Sequence, residues 1–106
     1  MTSLSDDLAG IDRLIHEPAR LAILTALSAC LKADFLFLQS LTGLTAGNLS
    51  THLTRLEEAG LIAIEKRIVN KRTNTEAHIT PLGSQAIQHH WEQLDELRRR
   101  ASSLRE

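Results

Sequence analysis

The sequence predicts a mainly α-helical protein of the α+β class with one small β-hairpin in its C-terminal half. Apolar residues recur at helical spacing over most of the chain, and helix start and stop signals divide these stretches. The spacing changes to two only in a short stretch after Gly60. With 106 residues, 42% of them hydrophobic, the chain is long enough for one modest core. We therefore expect a single domain over residues 1–106.

The composition is typical of a globular protein, with 24% charged residues and a formal net charge of −1. Cys30 has no second cysteine to pair with, which excludes a disulfide scaffold and a multi-cysteine zinc cluster. The N-terminus is acidic where a signal peptide would be basic, and no apolar run reaches the roughly 20 residues of a membrane span. These features predict a cytoplasmic protein with no membrane partner.

The first part of the chain is predicted to form two helices. An apolar stripe at helical spacing consists of Leu4, Leu8, Ile11 and Ile15. We expect this first helix to run until Pro18, which disfavours helix in the residue before it and suits the first turn of a second helix, ARLAILTALSAC. Apart from Arg20 this second helix is apolar or small on every side, so we expect it to be the buried centre of the core.

Two further helices separated by a short glycine-bearing turn are predicted over residues 34–59. Asp34 can cap the helix FLFLQSLT, and Gly43 can end it in a left-handed conformation. Thr45 can cap the helix that follows. Such a pair is a candidate helix-turn-helix, although helix hairpins with purely structural roles have the same sequence pattern.

A β-hairpin is predicted over about residues 61–80. LIAIEKRIV and AHIT are the candidate strands, and the polar NKRTNT between them is the expected tip, where Asn70 and Asn74 can adopt left-handed conformations. Thr80 and Pro81 then supply the N-cap and first residue of a last helix, over about residues 81–104.

The helix after Thr45 carries an unusual surface. Leu49, Leu53 and Leu56 fall on one arc that can dock the helix, whereas the opposite arc carries small uncharged polar residues in place of the usual long charged ones. Short hydroxyl and amide groups reach base edges and phosphates, and the helix N-terminus attracts a phosphate. We predict a recognition helix for the DNA major groove; the alternative is a solvated surface helix. Its candidate DNA contacts are Thr45, Ala46, Gly47, Asn48, Ser50, Thr51, Thr54 and Arg55.

Positive charge concentrates in the predicted hairpin. Between Glu65 and Arg72 the chain has four basic residues against a single acid. A basic hairpin that directly follows a recognition helix can lie along the neighbouring phosphates. The candidate phosphate contacts are Lys66, Arg67, Lys71 and Arg72.

Several of these motifs together resemble the winged-helix transcriptional regulators of the MarR and ArsR type. The resemblance lies in PARLAILTAL, SLTGLT, THLTRLEEAGLI, the basic hairpin and HITPLG, and covers most of residues 12–83. It implies a winged helix-turn-helix that binds operator DNA as a homodimer, with residues 45–59 in the major groove and the hairpin as wing. The cysteines of the metal-sensing ArsR proteins are absent and the chain is shorter than typical MarR proteins, so we expect a small stand-alone variant.

The first and last helices are predicted to form the homodimer. In the last helix, Ile87, His90, Leu94, Leu97, Ala101 and Leu104 recur at alternating spacings of three and four, with Trp91 beside them. This spacing is typical of a seam that packs against another helix, and a small core is not expected to bury this seam and the N-terminal stripe together. The alternative is a last helix that folds back on its own domain.

Other residues with reactive side chains are interpreted as structural. His89 and Glu92 have a spacing that some relatives use to bind zinc between paired C-terminal helices, but no second motif precedes them, and we predict solvated surface and no metal. Cys30 is expected to be a buried small hydrophobe rather than a redox switch. His52 is expected to pack or to bond to the backbone.

No catalytic constellation is apparent, because the chain has no glycine-rich phosphate loop, serine elbow or metal-hydrolase motif. The sequence therefore predicts neither an enzyme nor a cofactor. The expected function is sequence-specific binding of double-stranded DNA by a transcriptional regulator. The rival is a winged helix that binds another protein; the near-neutral charge keeps this rival open, and the basic hairpin favours DNA.

Overall fold

A computed structural model describes residues 12–105, which form four helices and a three-stranded antiparallel sheet. In chain order these elements are α1 (Pro18–Ala29), β1 (Ala33–Asp34), α2 (Phe35–Thr42), α3 (Ala46–Glu58), β2 (Ile62–Val69), β3 (Arg72–Ile79) and α4 (Pro81–Ser103). The predicted mainly helical fold with a β-hairpin and a long C-terminal helix is confirmed.

The predicted helix boundaries follow from side-chain caps. The side-chain oxygens of Asp34, Thr45 and Thr80 each accept a hydrogen bond from the backbone N–H three residues later, at 2.8, 3.1 and 3.0 Å. Each cap satisfies one of the N–H groups that the first helical turn leaves unpaired. Gly43 ends α2 in the left-handed region, with φ of 70°. These local signals explain why the elements begin and end where the sequence predicts.

The sheet differs from the prediction in two places. The two-residue strand β1 pairs with β3 and was missed, because two residues are too few for an alternating pattern. In the hairpin, Val69 pairs with Arg72, so the turn has only two residues, Asn70 and Lys71, with φ of 52° and 64°. Two left-handed residues match the twist of a tight hairpin. The predicted six-residue tip is wrong, and Asn74 lies within β3.

The core lies between α1, the inner face of α3 and the sheet. Its buried hydrophobic residues are Ile15, Ile23, Leu24, Leu27, Ala33, Leu38, Leu49, Leu53, Leu56, Leu61, Ile62, Ala77 and Ile87. Helix α1 was expected to be the buried centre of the core; its Ile23, Leu24 and Leu27 are buried, but its outer face, which carries Thr25 and Ser28, is exposed. Cys30, predicted to be buried, is the exposed C-cap of this helix.

Residues 12–17 form turns rather than the end of a predicted first helix. The carboxylate of Asp12 accepts a hydrogen bond from the Leu14 N–H at 2.8 Å, which favours a turn, and Pro18 disfavours helix before it. Ile15 is buried in the core. The other residues of the predicted N-terminal stripe, Leu4, Leu8 and Ile11, lie outside the described residues.

The first turn of α4 closely approaches the short connection between α3 and β2. Gly83 is buried, and a Cβ added there would lie 2.0 Å from the carbonyl oxygen of Leu61 and 2.8 Å from the Ile79 side chain. Thr80 holds the same junction, because its N–H donates to Leu61 O at 3.1 Å and its hydroxyl donates to Gly60 O at 2.6 Å. Only glycine fits this contact without moving the backbone.

Substitution of the two helical glycines should therefore have opposite effects on stability. Gly83→Ala should lower the free energy of unfolding by about 1–3 kcal/mol or more, because the added methyl overlaps backbone atoms. Gly47→Ala, where nothing lies within 4 Å of the new Cβ, should raise it by about 0.5–1 kcal/mol. Urea unfolding followed by circular dichroism measures both. Equal effects of the two substitutions would contradict the close junction at Gly83.

Candidate nucleic-acid interface

Helix α3 presents its polar arc to solvent. Its inner face is fixed by Leu49, Leu53 and Leu56, which are buried. The eight candidate contacts on this helix and at its cap, Thr45, Ala46, Gly47, Asn48, Ser50, Thr51, Thr54 and Arg55, are all exposed. The sequence-predicted residues of this element therefore lie together on one accessible face.

An open groove separates α3 from the β-hairpin. Its lining residues are Phe35, Ser50, Leu53, Thr54, Ile64, Lys66 and Thr75. Side chains alternate between the faces of a strand, so Lys66 lies on the same face of β2 as Ile64, toward α3. The ammonium group of Lys66 is thus placed beside the hydroxyl groups of α3.

Arg67 lies on the opposite face of the hairpin and forms an ion pair there that the sequence does not predict. Its guanidinium forms an ion pair with Glu76 of β3, whose other carboxylate oxygen lies 3.6 Å from Lys32 Nζ. The hydrogen bond from Arg67 is the main cause that lowers the pKa of Glu76. The four predicted basic residues are therefore not one equivalent cluster, because Arg67 is already paired within the sheet.

Lys71 and Arg72 lie at the hairpin tip and are exposed. The tight turn places them at the end of the two long strands, away from the core. Their positions fit a contact with a surface that extends beyond α3.

A buried arginine connects helix α3 to the N-terminal segment, residues 12–17. Arg20 is 8% exposed; its Nε donates to Leu14 O, and one guanidinium nitrogen lies 3.1 Å from Nδ1 of His52 on α3. Because arginine can only donate, this nitrogen of His52 is the acceptor and the ring is neutral in this arrangement. His52 was expected to pack or to bond to the backbone, and its bond to the Arg20 side chain was missed.

Glu17 completes this network. Its carboxylate accepts a hydrogen bond from the Arg20 N–H at 2.8 Å and lies 3.8 Å from His52 Nδ1. Burial acts to raise the pKa of Glu17, but hydrogen bonds from the N–H groups of Arg20 and Ala19, together with the Arg20 charge, lower it overall. The one indication of this network in the sequence is Arg20, a single charged residue in an otherwise uncharged helix.

The predicted dimer residues divide into two groups. Ile15, Ile87 and His90 are buried by their own chain, which leaves them no surface for a partner; this corrects the assignment of Ile15 and Ile87 to an interface and of His90 to the seam. Accessible surface remains along the distal part of α4 at Trp91, Leu94, Leu97, Ala101 and Leu104. Leu104 is 71% exposed, so this part of the predicted seam has little cover from its own chain.

Metal ligands are not assembled among residues 12–105. No group of three His, Cys, Asp or Glu side chains in this range is close enough to hold a metal ion. Glu92, one of the two weak candidates, accepts a hydrogen bond from Gln88 at 3.3 Å, and His89 is exposed. In the same range, no helix combines the length and apolar character needed to span a membrane.

Comparison with known proteins identifies this arrangement. Residues 19–98 match a family described as winged helix DNA-binding domain. An uncharacterized protein of Methanocaldococcus jannaschii is 31% identical over 78 residues, which are 74% of this chain and 85% of that protein.

Solved structures share the fold. A transcriptional regulator homologue from Pyrococcus horikoshii superimposes with a TM-score of 0.78 at 30% identity, covering 89% of this chain and 91% of that one. A MarR-family regulator from Silicibacter pomeroyi superimposes with a TM-score of 0.63 at 20% identity, covering 92% of this chain and 63% of that one. The MarR-type resemblance seen in the sequence is confirmed at the level of the fold.

Proposed function

Because the chain belongs to the winged helix DNA-binding domain family, we propose that it is a transcriptional regulator that binds double-stranded DNA sequence-specifically, with α3 in the major groove. Family and fold indicate a regulator rather than an enzyme. The observation that carries the proposal is the exposed face of small polar side chains on α3 with Lys66 beside it. In this role the protein acts in the cytoplasm, where it meets DNA.

The chemistry of α3 suits a duplex. Asn48 and Thr51 offer amide and hydroxyl groups short enough to reach base edges in the major groove. Gly47 has open space where a side chain would be, so backbone can approach the DNA closely. The free N–H groups of the first turn, together with the helix dipole, attract a phosphate.

The wing supplies charge without base recognition in this proposal. Lys71 and Arg72 at the tip would contact phosphates beside the groove that α3 occupies, and Lys66 would contact the backbone between wing and helix. Arg67 contributes less, because Glu76 already neutralises it.

A protein-binding winged helix is the second candidate function, and exposed apolar side chains favour it. Leu31 is 94% exposed and Leu36 is 75% exposed, and Phe37 and Leu41 are also accessible. Apolar patches of this kind often mark protein contacts. Electrophoretic mobility shifts with random duplex at two salt concentrations separate the candidates, since phosphate binding must weaken steeply with salt.

We also propose a homodimer through the distal part of α4. The 23 residues of this helix span about 34 Å, and its C-terminal half carries an apolar stripe that its own core does not bury. Paired α4 helices would give a two-fold arrangement with two α3 helices about one DNA turn, roughly 34–36 Å, apart.

The first test concerns base recognition by α3. Thr51→Ala should relax preference at particular base pairs, at a cost on the order of 1–3 kcal/mol at the contacted position. Thr25→Ala is a matched control, because both threonines are exposed, helical and donate to the carbonyl four residues earlier. Selection from a random duplex library followed by affinity measurement checks this. If Thr51→Ala and Asn48→Ala both bind as the wild type does, α3 is not the recognition helix.

The second test concerns the wing. Arg72→Ala and Lys71→Gly should each weaken binding to cognate and random duplex alike and reduce the slope of log K against log salt by about 0.9. Glycine at position 71 keeps the left-handed turn while removing the charge. Arg67→Ala is the comparison, with a smaller expected change because of its pairing with Glu76. Unchanged slopes for both tip variants would show that the wing does not contact the DNA phosphates.

The third test concerns the dimer. Leu94→Glu or Leu97→Glu should dissociate the dimer at micromolar concentration, because a charge at an apolar helix seam is poorly accommodated. Gln85→Glu, at an exposed position near the start of α4, should leave it intact. Sedimentation equilibrium with circular dichroism as a folding control measures both. A wild type that is monomeric throughout excludes the dimer.

A further inference from the structure

Two histidine rings are in contact between the N-terminal segment, residues 12–17, and α4. His16 Nδ1 lies 3.4 Å from His90 Nε2, and the ring centroids are 5.3 Å apart. His90 is 1% exposed, and its Nδ1 is buried without a hydrogen-bond partner among the described residues. A buried histidine with one unsatisfied ring nitrogen is costly, which limits the protonation states that this site can accept.

The orphan nitrogen selects the tautomer of His90. If Nδ1 carried the proton, a donor would be buried without an acceptor. The less costly state has the proton on Nε2, which then donates to Nδ1 of His16. In this neutral state Nε2 of His90 donates to Nδ1 of His16. Only Nδ1 of His90, an acceptor, then has no partner among residues 12–105.

Protonation of either histidine disrupts this hydrogen bond. A proton added to His16 at Nδ1 replaces the acceptor with a second donor that faces the His90 N–H. A proton added to His90 at Nδ1 places a charged donor in a buried site that has no partner among residues 12–105. Two charged rings at this distance would also repel each other.

We propose that the His16–His90 pair is a proton-sensitive joint that holds His16 against α4 while both rings are neutral and separates on acidification, whereas Ile15 stays buried in the core. The charged groups that act on His90 are His16 and Asp12 from the N-terminal segment and His89 from α4. Asp12 favours the charged ring, and the two histidines oppose it. The joint involves no DNA contact, so its test is independent of the proposed function.

The direction of the pH effect follows from burial. Burial, followed by the His16 charge, lowers the pKa of His90 below the ordinary histidine value of about 6.5. As pH falls below about 6.5, the unfolded chain binds a proton that the folded chain does not, so stability decreases with acidification. One such group changes the folding equilibrium by at most about tenfold per pH unit.

A double-mutant cycle tests the joint directly. His16→Ala and His90→Phe, singly and together, remove the contact while the phenyl ring preserves buried volume at position 90. At about pH 7.5 the two changes should be coupled by about fivefold in the folding equilibrium constant, as expected for one hydrogen bond, and at about pH 5.5 the coupling should be smaller. His89→Ala paired with His16→Ala is the control cycle, since His89 is the exposed neighbour of His90. Equal coupling at both pH values, or none at pH 7.5, overturns the proposal.

The wild type provides a second measurement if a variant does not fold. Ring-nitrogen spectra should show His90 neutral with its proton on Nε2 at about pH 7.5, and charged only below the ordinary histidine range. Over the same range, the amide of His16, which donates to Asp12 O at 2.8 Å, should lose protection from hydrogen exchange as His16 separates from α4. A His90 ring that is charged at pH 7.5, or protection that is unchanged at pH 5.5, also overturns it.

Discussion

Burial of the leucine face of α3 is the interaction on which the rest of the structure depends. Leu49, Leu53 and Leu56 are within the core, and each contributes about 1.5–3 kcal/mol on burial. The polar arc costs roughly 3 kcal/mol of helix propensity relative to alanine, because it contains glycine, asparagine, serine and threonines. A helix of 13 residues is marginal alone, so tertiary docking, not propensity, holds it. The same docking sets the rotation of α3 and hence which side chains face outward.

The sequence predicted those features that nearby residues determine. The caps at Asp34, Thr45 and Thr80, the left-handed Gly43 and the division of α3 into two arcs all depend on spacings within one helix or its flanks. The exposed candidate contacts were found for the same reason: their position on the helix follows from the position of the leucines.

What the sequence could not provide are contacts between distant parts of the chain. Glu76 becomes the partner of Arg67 only through the register of β2 and β3, and that register depends on a turn of two residues rather than six. The short strand β1 forms because β3 offers it an edge. Likewise, Arg20 and His52 are 32 residues apart, and nothing in their local pattern indicates that they meet. Ile15 was assigned to a partner because its spacing is helical, whereas the fold places it in the core.

These long-range contacts converge on residues 12–17, which lie between the proposed recognition helix and the proposed dimer helix. On one side, Arg20 bonds both to the Leu14 carbonyl and to His52 of α3. On the other side, His16 meets His90 of α4, and Ile15 anchors the segment in the core between them. A shift of this segment would therefore disturb polar contacts with both helices at once and would take these partners from the buried side chains of Arg20 and His90. Residues 12–17 therefore connect the proposed DNA-binding and dimer surfaces through polar contacts, in addition to the junction of Thr80 and Gly83 with Gly60 and Leu61.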